Sequence, residues 1–168
     1  MGSSLQKLAL LVAASSSTLA ACGHEPTATS NAPFEARLDG QAFVATHTDF
    51  ATFSHGTNLA ITGGRQTDVG WRVVAFQLAN WAGPGTYTLN TIDSTGGAIG
   101  FVYDTGPNDS LLAMWTTTTA VTGQAGETEF DPANRNVKGT FRFEARDSTG
   151  GSMSITQGSF TGRYFIDP

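Results

Sequence analysis

From Phe34 onward the chain alternates apolar and polar residues with a period of two, and turn residues break the alternation at short intervals. Phe34-Glu35-Ala36-Arg37-Leu38 puts every second side chain on an apolar face, Asp39-Gly40 supplies the positive φ angles of a tight hairpin, and Gln41 to Ala45 returns. Leu59 to Thr62 is a second short strand, ended by Gly63-Gly64. Trp71 to Leu78 is apolar on both faces, as in a central strand covered from two sides. Gly83-Pro84-Gly85 breaks that run and Thr86 to Leu89 resumes it. Ala98 to Tyr103 then pairs with Leu111 to Thr117 across a loop, Asp104 to Ser110.

The strictest alternation runs from Val137 to Arg146. Val137, Gly139, Phe141, Phe143 and Ala145 face inward, while Lys138, Thr140, Arg142, Glu144 and Arg146 face water. In the last strand Met153 and Ile155 share one parity, but Phe160, Tyr164 and Ile166 share the other. A bulge at Gln157-Gly158 restores the register, and glycine tolerates one. Thr116-Thr117-Thr118-Thr119 reads as a strand extension because Thr is β-branched. No stretch shows helical periodicity. The pattern predicts an all-β fold, an antiparallel β-sandwich or partly open barrel of about 8 to 10 strands.

Residues 1–33 follow a different rule. Lys7 precedes a short apolar run, Leu8 to Ala14, too brief for the ~20 residues that cross a bilayer and typical of a signal-peptide core. It leads to Leu19-Ala20-Ala21-Cys22, which resembles the bacterial lipobox. That resemblance implies cleavage after residue 21, diacylglycerol on the Cys22 thiol and anchoring to a membrane through lipid, where each buried methylene contributes about 0.8 kcal/mol. Gly23 in place of Asp favours the outer membrane, with the domain periplasmic or surface-facing. Residues 23–33, GHEPTATSNAP, form a polar, proline-bearing tether about 15–20 Å long. The expected organisation is a signal peptide over 1–21, lipidated Cys22 and tether over 22–33, and one domain over 34–168.

Four segments taken in order resemble a family of bacterial lipoproteins built on a domain of unknown function. They are Phe34 to Gly40, Gly85-Thr86-Tyr87-Thr88-Leu89, Gly139 to Ala145, and Ile155 to Phe160. The family has an F-x-A-x-x-D-G opening, a G-T-Y turn, and closing G-T-F-x-F-x-A and I-T-x-G-x-F strands. The chain departs from it at Phe43, where Trp is common, and over Gly123 to Phe130, which lacks the β-branched alternation expected of a strand before G-T-F. The resemblance implies a β-sandwich lipoprotein and carries over no functional residue.

Composition narrows the chemistry. Nine Lys and Arg against 14 Asp and Glu leave a formal charge of −5, the wrong sign for a nucleic-acid partner. One cysteine forbids an internal disulfide and a thiolate zinc cluster. His47-x-Asp49-x5-His55 is the imidazole and carboxylate cluster that could take a transition metal, though its spacing fixes no third ligand. Asp104, Asn108 and Asp109 offer oxygen to a hard cation, without the EF-hand spacing. Ser54 beside His55 is no nucleophile–base pair on a strand, where neighbours face opposite ways. Glu127 and Glu129 share a parity, as a glycosidase pair could, or as edge charges that resist aggregation. Surface and turn roles outweigh each of these.

Trp71, Trp81, Tyr87 and Trp115 are the possible stacking surface for a ligand. Trp81 leads, in the Asn80 to Pro84 loop, with a cap on the core end as its competing role. The sequence calls for no cofactor and no catalytic residue. It leads to an envelope lipoprotein that binds a glycan, a peptide or an envelope protein, or plays a structural part, with a metal-dependent or carboxylate-based hydrolase as the alternative.

Overall fold

The computed structural model describes residues 32–53, 58–93 and 96–166. The signal segment, Cys22 and most of the tether therefore lie outside the described residues, as do Ser54 and His55. Thirteen strands follow one another: β1 (Phe34–Leu38), β2 (Gln41–Val44), β3 (His47–Phe53), β4 (Asn58–Gln66), β5 (Trp71–Ala79), β6 (Thr86–Leu89), β7 (Ile92–Asp93), β8 (Gly96–Thr105), β9 (Leu111–Thr116), β10 (Gly123–Asp131), β11 (Asn136–Arg146), β12 (Ser152–Arg163) and β13 (Phe165–Ile166). A 3-10 turn at Pro107–Asp109 is the one helical element among the described residues. The fold is all-β, a curled antiparallel sheet that forms a half-barrel.

Strand order along the curl is β13-β3-β4-β5-β8-β9-β11-β12-β1-β2, with β10 on β11, β6 on β10 and β7 on β8. Every pairing is antiparallel except β13 with β3. The central strand of the first arm is β5, as its two-sided apolarity requires: it pairs with β4 over its whole length and with β8 on its other edge. The arms meet at a single residue pair, Arg146 with Thr116. A hinge this narrow lets the sheet fold over, so Phe76 of the first arm packs on Phe141 and Phe160 of the second with ring centroids 5.4 Å apart in both cases. Phe50 also meets Phe160, at 6.4 Å.

Rings from one strand sit in glycine notches on another. A Cβ at Gly63 of β4 would overlap the Phe34 ring of β1, which belongs to the opposite arm, and one at Gly162 would overlap Phe50. Within the second arm Phe160 lies opposite Gly139 and Phe141 opposite Gly158. Absence of a side chain at these sites lets aromatic rings fill the space between the arms, where close packing contributes most. Glycine also has a part in β10. Gly123 to Phe130 was not expected to make a regular strand, yet β10 pairs with β11 from Gly123 to Asp131 and with β6 from Gly123 to Gly126. Gly123 lies opposite Phe143, and a Cβ there would overlap the Phe143 Cβ and the β11 backbone, so the glycine is what lets the two strands approach this closely.

Local turn chemistry follows the sequence. Asp39 and Gly40 both have positive φ, 48° and 79°, as a two-residue hairpin demands. At Gln157, with φ of 50°, β12 carries one residue more than either neighbour: Phe141 lies opposite Gly158 while Phe143 lies opposite Ile155. That bulge switches the buried parity from Met153 and Ile155 to Gly158 and Phe160. The Thr run behaves otherwise than expected. Strand β9 stops at Thr116, and the buried Thr117 hydroxyl donates to the Asn90 carbonyl at 2.8 Å and accepts from Gly100 N–H at 3.0 Å. Thr118 closes a turn by accepting from Ala120 and Val121. Threonine hydroxyls that bond backbone groups end a strand as readily as β-branching extends one.

The curl comes close to closing. Beyond β2, Thr46 N–H donates to the Gly64 carbonyl at 2.8 Å. Arg65 reaches across to the Ala42 carbonyl at 3.1 Å and lies 5.1 Å from the centroid of the Phe43 ring. The N-terminal segment enters beside the end of β12, where Thr161 N–H donates to the Pro33 carbonyl.

Candidate functional site: a polar concavity on the outer face

One register row crosses the outer face of the second arm. Glu35 of β1 lies opposite Ser159 of β12, Ser159 opposite Thr140 of β11, Thr140 opposite Gly126 of β10, and Gly126 opposite Thr86 of β6. Partners in such a row lie on the same face of a sheet, so the three hydroxyls and the carboxylate share one side. Gly126 interrupts the row with no side chain and forms its low point. Beside the row, Arg142 lies opposite Gln124 and the bulge adds Gln157. The result is a concavity of about 560 Å³, lined by these residues together with Gly158 and the backbone of buried Phe141.

Its side chains are held by one another. Ser159 Oγ donates to Glu35 Oε1 at 3.3 Å, Arg142 Nη2 to Gln124 Oε1 at 3.3 Å, and Arg37 Nε to Gln157 Oε1 at 2.9 Å. Each contact leaves donor or acceptor capacity over: carboxylates and amides have further lone pairs, amides have N–H groups, and a guanidinium has five donors. The lining itself carries one carboxylate, Glu35, and one guanidinium, Arg142, with Arg37 bonded to Gln157 from outside it. Such a surface suits a neutral ligand rich in groups that donate and accept at once.

The residues singled out in the sequence lie elsewhere. His47 and Asp49 are exposed on β3, and His47 meets the Trp71 ring edge-on at 6.3 Å. Among the described residues no three His, Cys, Asp or Glu side chains form a group that could hold a metal ion. Asp104 belongs to strand β8 and not to the loop. Its two oxygens take a bidentate contact from Arg72, Nε at 2.7 Å and Nη2 at 2.6 Å, so it does not join Asn108 and Asp109 as an oxygen ligand set. This hydrogen bond raises the Arg72 pKa, against the opposing effect of partial burial. Between Glu127 and Glu129 the backbone register with β11 slips by one residue. Exposed Glu129 lines a smaller concavity of about 220 Å³ with Lys138 and Arg163.

Trp81 is a cap and not an open stacking platform. Its ring packs at 4.6 Å edge-on to Phe130 and at 6.2 Å to Tyr164, and those two stack at 5.7 Å. Burial in this group pushes the Tyr164 hydroxyl pKa up. Trp71 and Trp115 are half-buried, and Tyr87 spends its hydroxyl on the Gly83 carbonyl at 2.7 Å. The concavity escaped the sequence reading because its lining comes from five strands. The bulge and the inward-outward alternation of Val137 to Arg146 were its legible parts.

With this geometry in place, the comparisons add one relation: a family model matches residues 30–162. The chain belongs to the family described as Domain of unknown function (DUF6252). The match to DUF6252 takes in all four resembling segments and every residue that lines the concavity, whereas Cys22 precedes it. No curated protein and no solved structure matches the chain. DUF6252 brings no assigned activity, so roles must be argued from the site.

Proposed function

We propose that this DUF6252 chain is an envelope lipoprotein, anchored through lipid on Cys22 to the outer membrane, whose β domain is a non-catalytic binding module for a neutral, hydroxyl-rich ligand of the oligosaccharide class. The observation that carries the binding half is the polar row from Glu35 to Thr86, dipped at Gly126 and widened by the bulge at Gln157. Its volume lies in the ~300–1,000 Å³ range of ligand sites. Sugar hydroxyls match it because each donates and accepts, as do the amides and hydroxyls that line it. The anchoring half rests on Leu19-Ala20-Ala21-Cys22 after a short apolar core.

The test uses the chain expressed in a bacterium and has two arms. Growth with an alkyne-bearing fatty acid is expected to label the wild-type chain and leave Cys22→Ser unlabelled. Titration of the purified protein with a panel of neutral oligosaccharides is expected to move the side-chain amide NMR signals of Gln124 and Gln157, and Arg142→Ala is expected to weaken the response. Labelling of Cys22→Ser would refute the anchor. Perturbations confined to residues outside the concavity, or none across the panel, would refute the binding surface.

A further inference from the structure

Strand β9 pairs with β8 along one edge, from Thr116 opposite Phe101 to Leu111 opposite Thr105. On its other edge it meets β11 only at Thr116. Among the described residues, no backbone group joins the outer edge from Leu111 to Trp115. This stretch, Leu-Leu-Ala-Met-Trp, contains no charge and no proline. It is also apolar at the surface: Leu111, Leu112 and Met114 are 61%, 58% and 42% exposed. Natural sheets guard such edges with charge, proline or cover, because open N–H and C=O groups beside apolar side chains attract another strand. The other strands bordering the curl are guarded or short. Arg65 lies across Ala42 of β2, and β13 has two residues.

We propose that the open edge of β9 pairs with the same edge of a second copy of this chain, antiparallel about a two-fold axis through Ala113. Two features select that occupant. The strand is self-complementary: the register sets Leu112 of one copy against Met114 of the other, and Leu111 against Trp115, with no charge buried. Charges at the two ends of the edge also match. Asp109, exposed in the turn before β9, stands two residues ahead of Leu111, and Arg146, exposed on β11, flanks Thr116 at the far end. Neither has a side-chain partner among the described residues. Two-fold pairing brings the Pro107–Asp109 turn of each copy, with its Asp109, to the Thr116 end of the other copy's β9, on the side of Arg146. The opening between β9 and Arg146 to Thr149, about 630 Å³, receives the turn of the opposing copy. An isologous contact of this kind closes on itself and makes a dimer, whereas an unmatched edge would propagate. One strand pair buries less than the ~800 Å² per partner of a standard interface, so the dimer forms in a concentration-dependent way.

Sedimentation velocity of the purified chain over a range of concentrations tests this. A monomer–dimer equilibrium is expected. Arg146→Asp or Asp109→Arg is expected to weaken it about tenfold by placing like charges at both ends, and the double variant, with the charges exchanged, to recover most of the loss. Circular dichroism of these surface variants should match the wild type. A chain that stays monomeric up to about 1 mM would overturn the proposal and leave the edge to an extended segment of a different protein. A dimer indifferent to both single charge reversals, or not recovered by the exchange, would overturn it too.

Discussion

Replacing Gly63 with Ala puts a methyl group where the Phe34 ring lies. The new Cβ would fall within 2.7 Å of three ring atoms, Cδ1, Cγ and Cε1, a separation that real side chains do not tolerate. Phe34 has little room to yield: it is fully buried, its ring centroid is 5.0 Å from that of Phe141, and Phe43 meets it edge-on at 6.3 Å. Overpacking of a tight core costs about 1–3 kcal/mol. Against this, Ala in place of Gly lowers the entropy of the unfolded chain and returns about 0.4–1 kcal/mol. The expected result is a net loss of roughly 1–2 kcal/mol, or about 4 °C in Tm per kcal/mol for a domain of this size. Phe34→Leu alone should cost about 1–2 kcal/mol, less than the ~3–5 kcal/mol of a Phe-to-Ala truncation. Because the three atoms nearest the new methyl all belong to that ring, the double variant should be more stable than the sum of the single losses by about 1 kcal/mol. Urea unfolding of the four proteins measures the coupling. A stabilising Gly63→Ala, or losses that add to within ~0.5 kcal/mol, would refute the seating of ring in notch as one of the contacts that join the two arms.

Two titrations follow from turns and from the aromatic cap. The Asp147 carboxylate is held below the usual range by the Thr149 hydroxyl and by backbone N–H groups of the β11–β12 turn, and Asp131 by Asn134 in the turn after β10. A depressed folded-state pKa gives stability that is present above about pH 4 and lost as pH falls through the folded value; thermal melts between pH 7 and 2 should therefore show an acid decline that Asp147→Ala shallows, and an unchanged slope would count against the turn contacts. Tyr164 is displaced in the opposite direction, so its contribution holds below about pH 10 and is lost as pH rises further. Absorbance of phenolate at 295 nm should then show a late-ionising step that Tyr164→Phe deletes.

Legibility in the sequence tracked how local the deciding interaction is. Strand β11 could be read because a two-residue period needs only its own side chains, and the Asp39-Gly40 turn because φ > 0 is a property of those residues. Even the bulge at Gln157 was visible, since the parity of apolar residues flips there. Strand β10 was obscure because what holds it is Phe143 on the next strand, matched to a glycine that looks like a weakness when read alone. Asp104 looked like a loop carboxylate because Arg72, which claims it, lies 32 residues away. Trp81 resolved as a cap only once β13 and its approach brought Tyr164 alongside. The polar concavity depends on four successive strand pairings, and although β10, β11 and β12 follow one another, β1 and β6 join them from far earlier in the chain.

The pairing of β1 with β12 has a consequence for how the chain folds as it is made. Ser159 donates to Glu35, 124 positions away in sequence, and the rest of that ladder is about as remote. An emerging chain can form the hairpins of the first arm early, but Phe34 has no complete seat until the last long strand has been made. Folding dominated by such distant contacts is slow. A nascent chain therefore cannot complete its core until its last long strand is synthesised, a delay that would suit the export to the envelope proposed above.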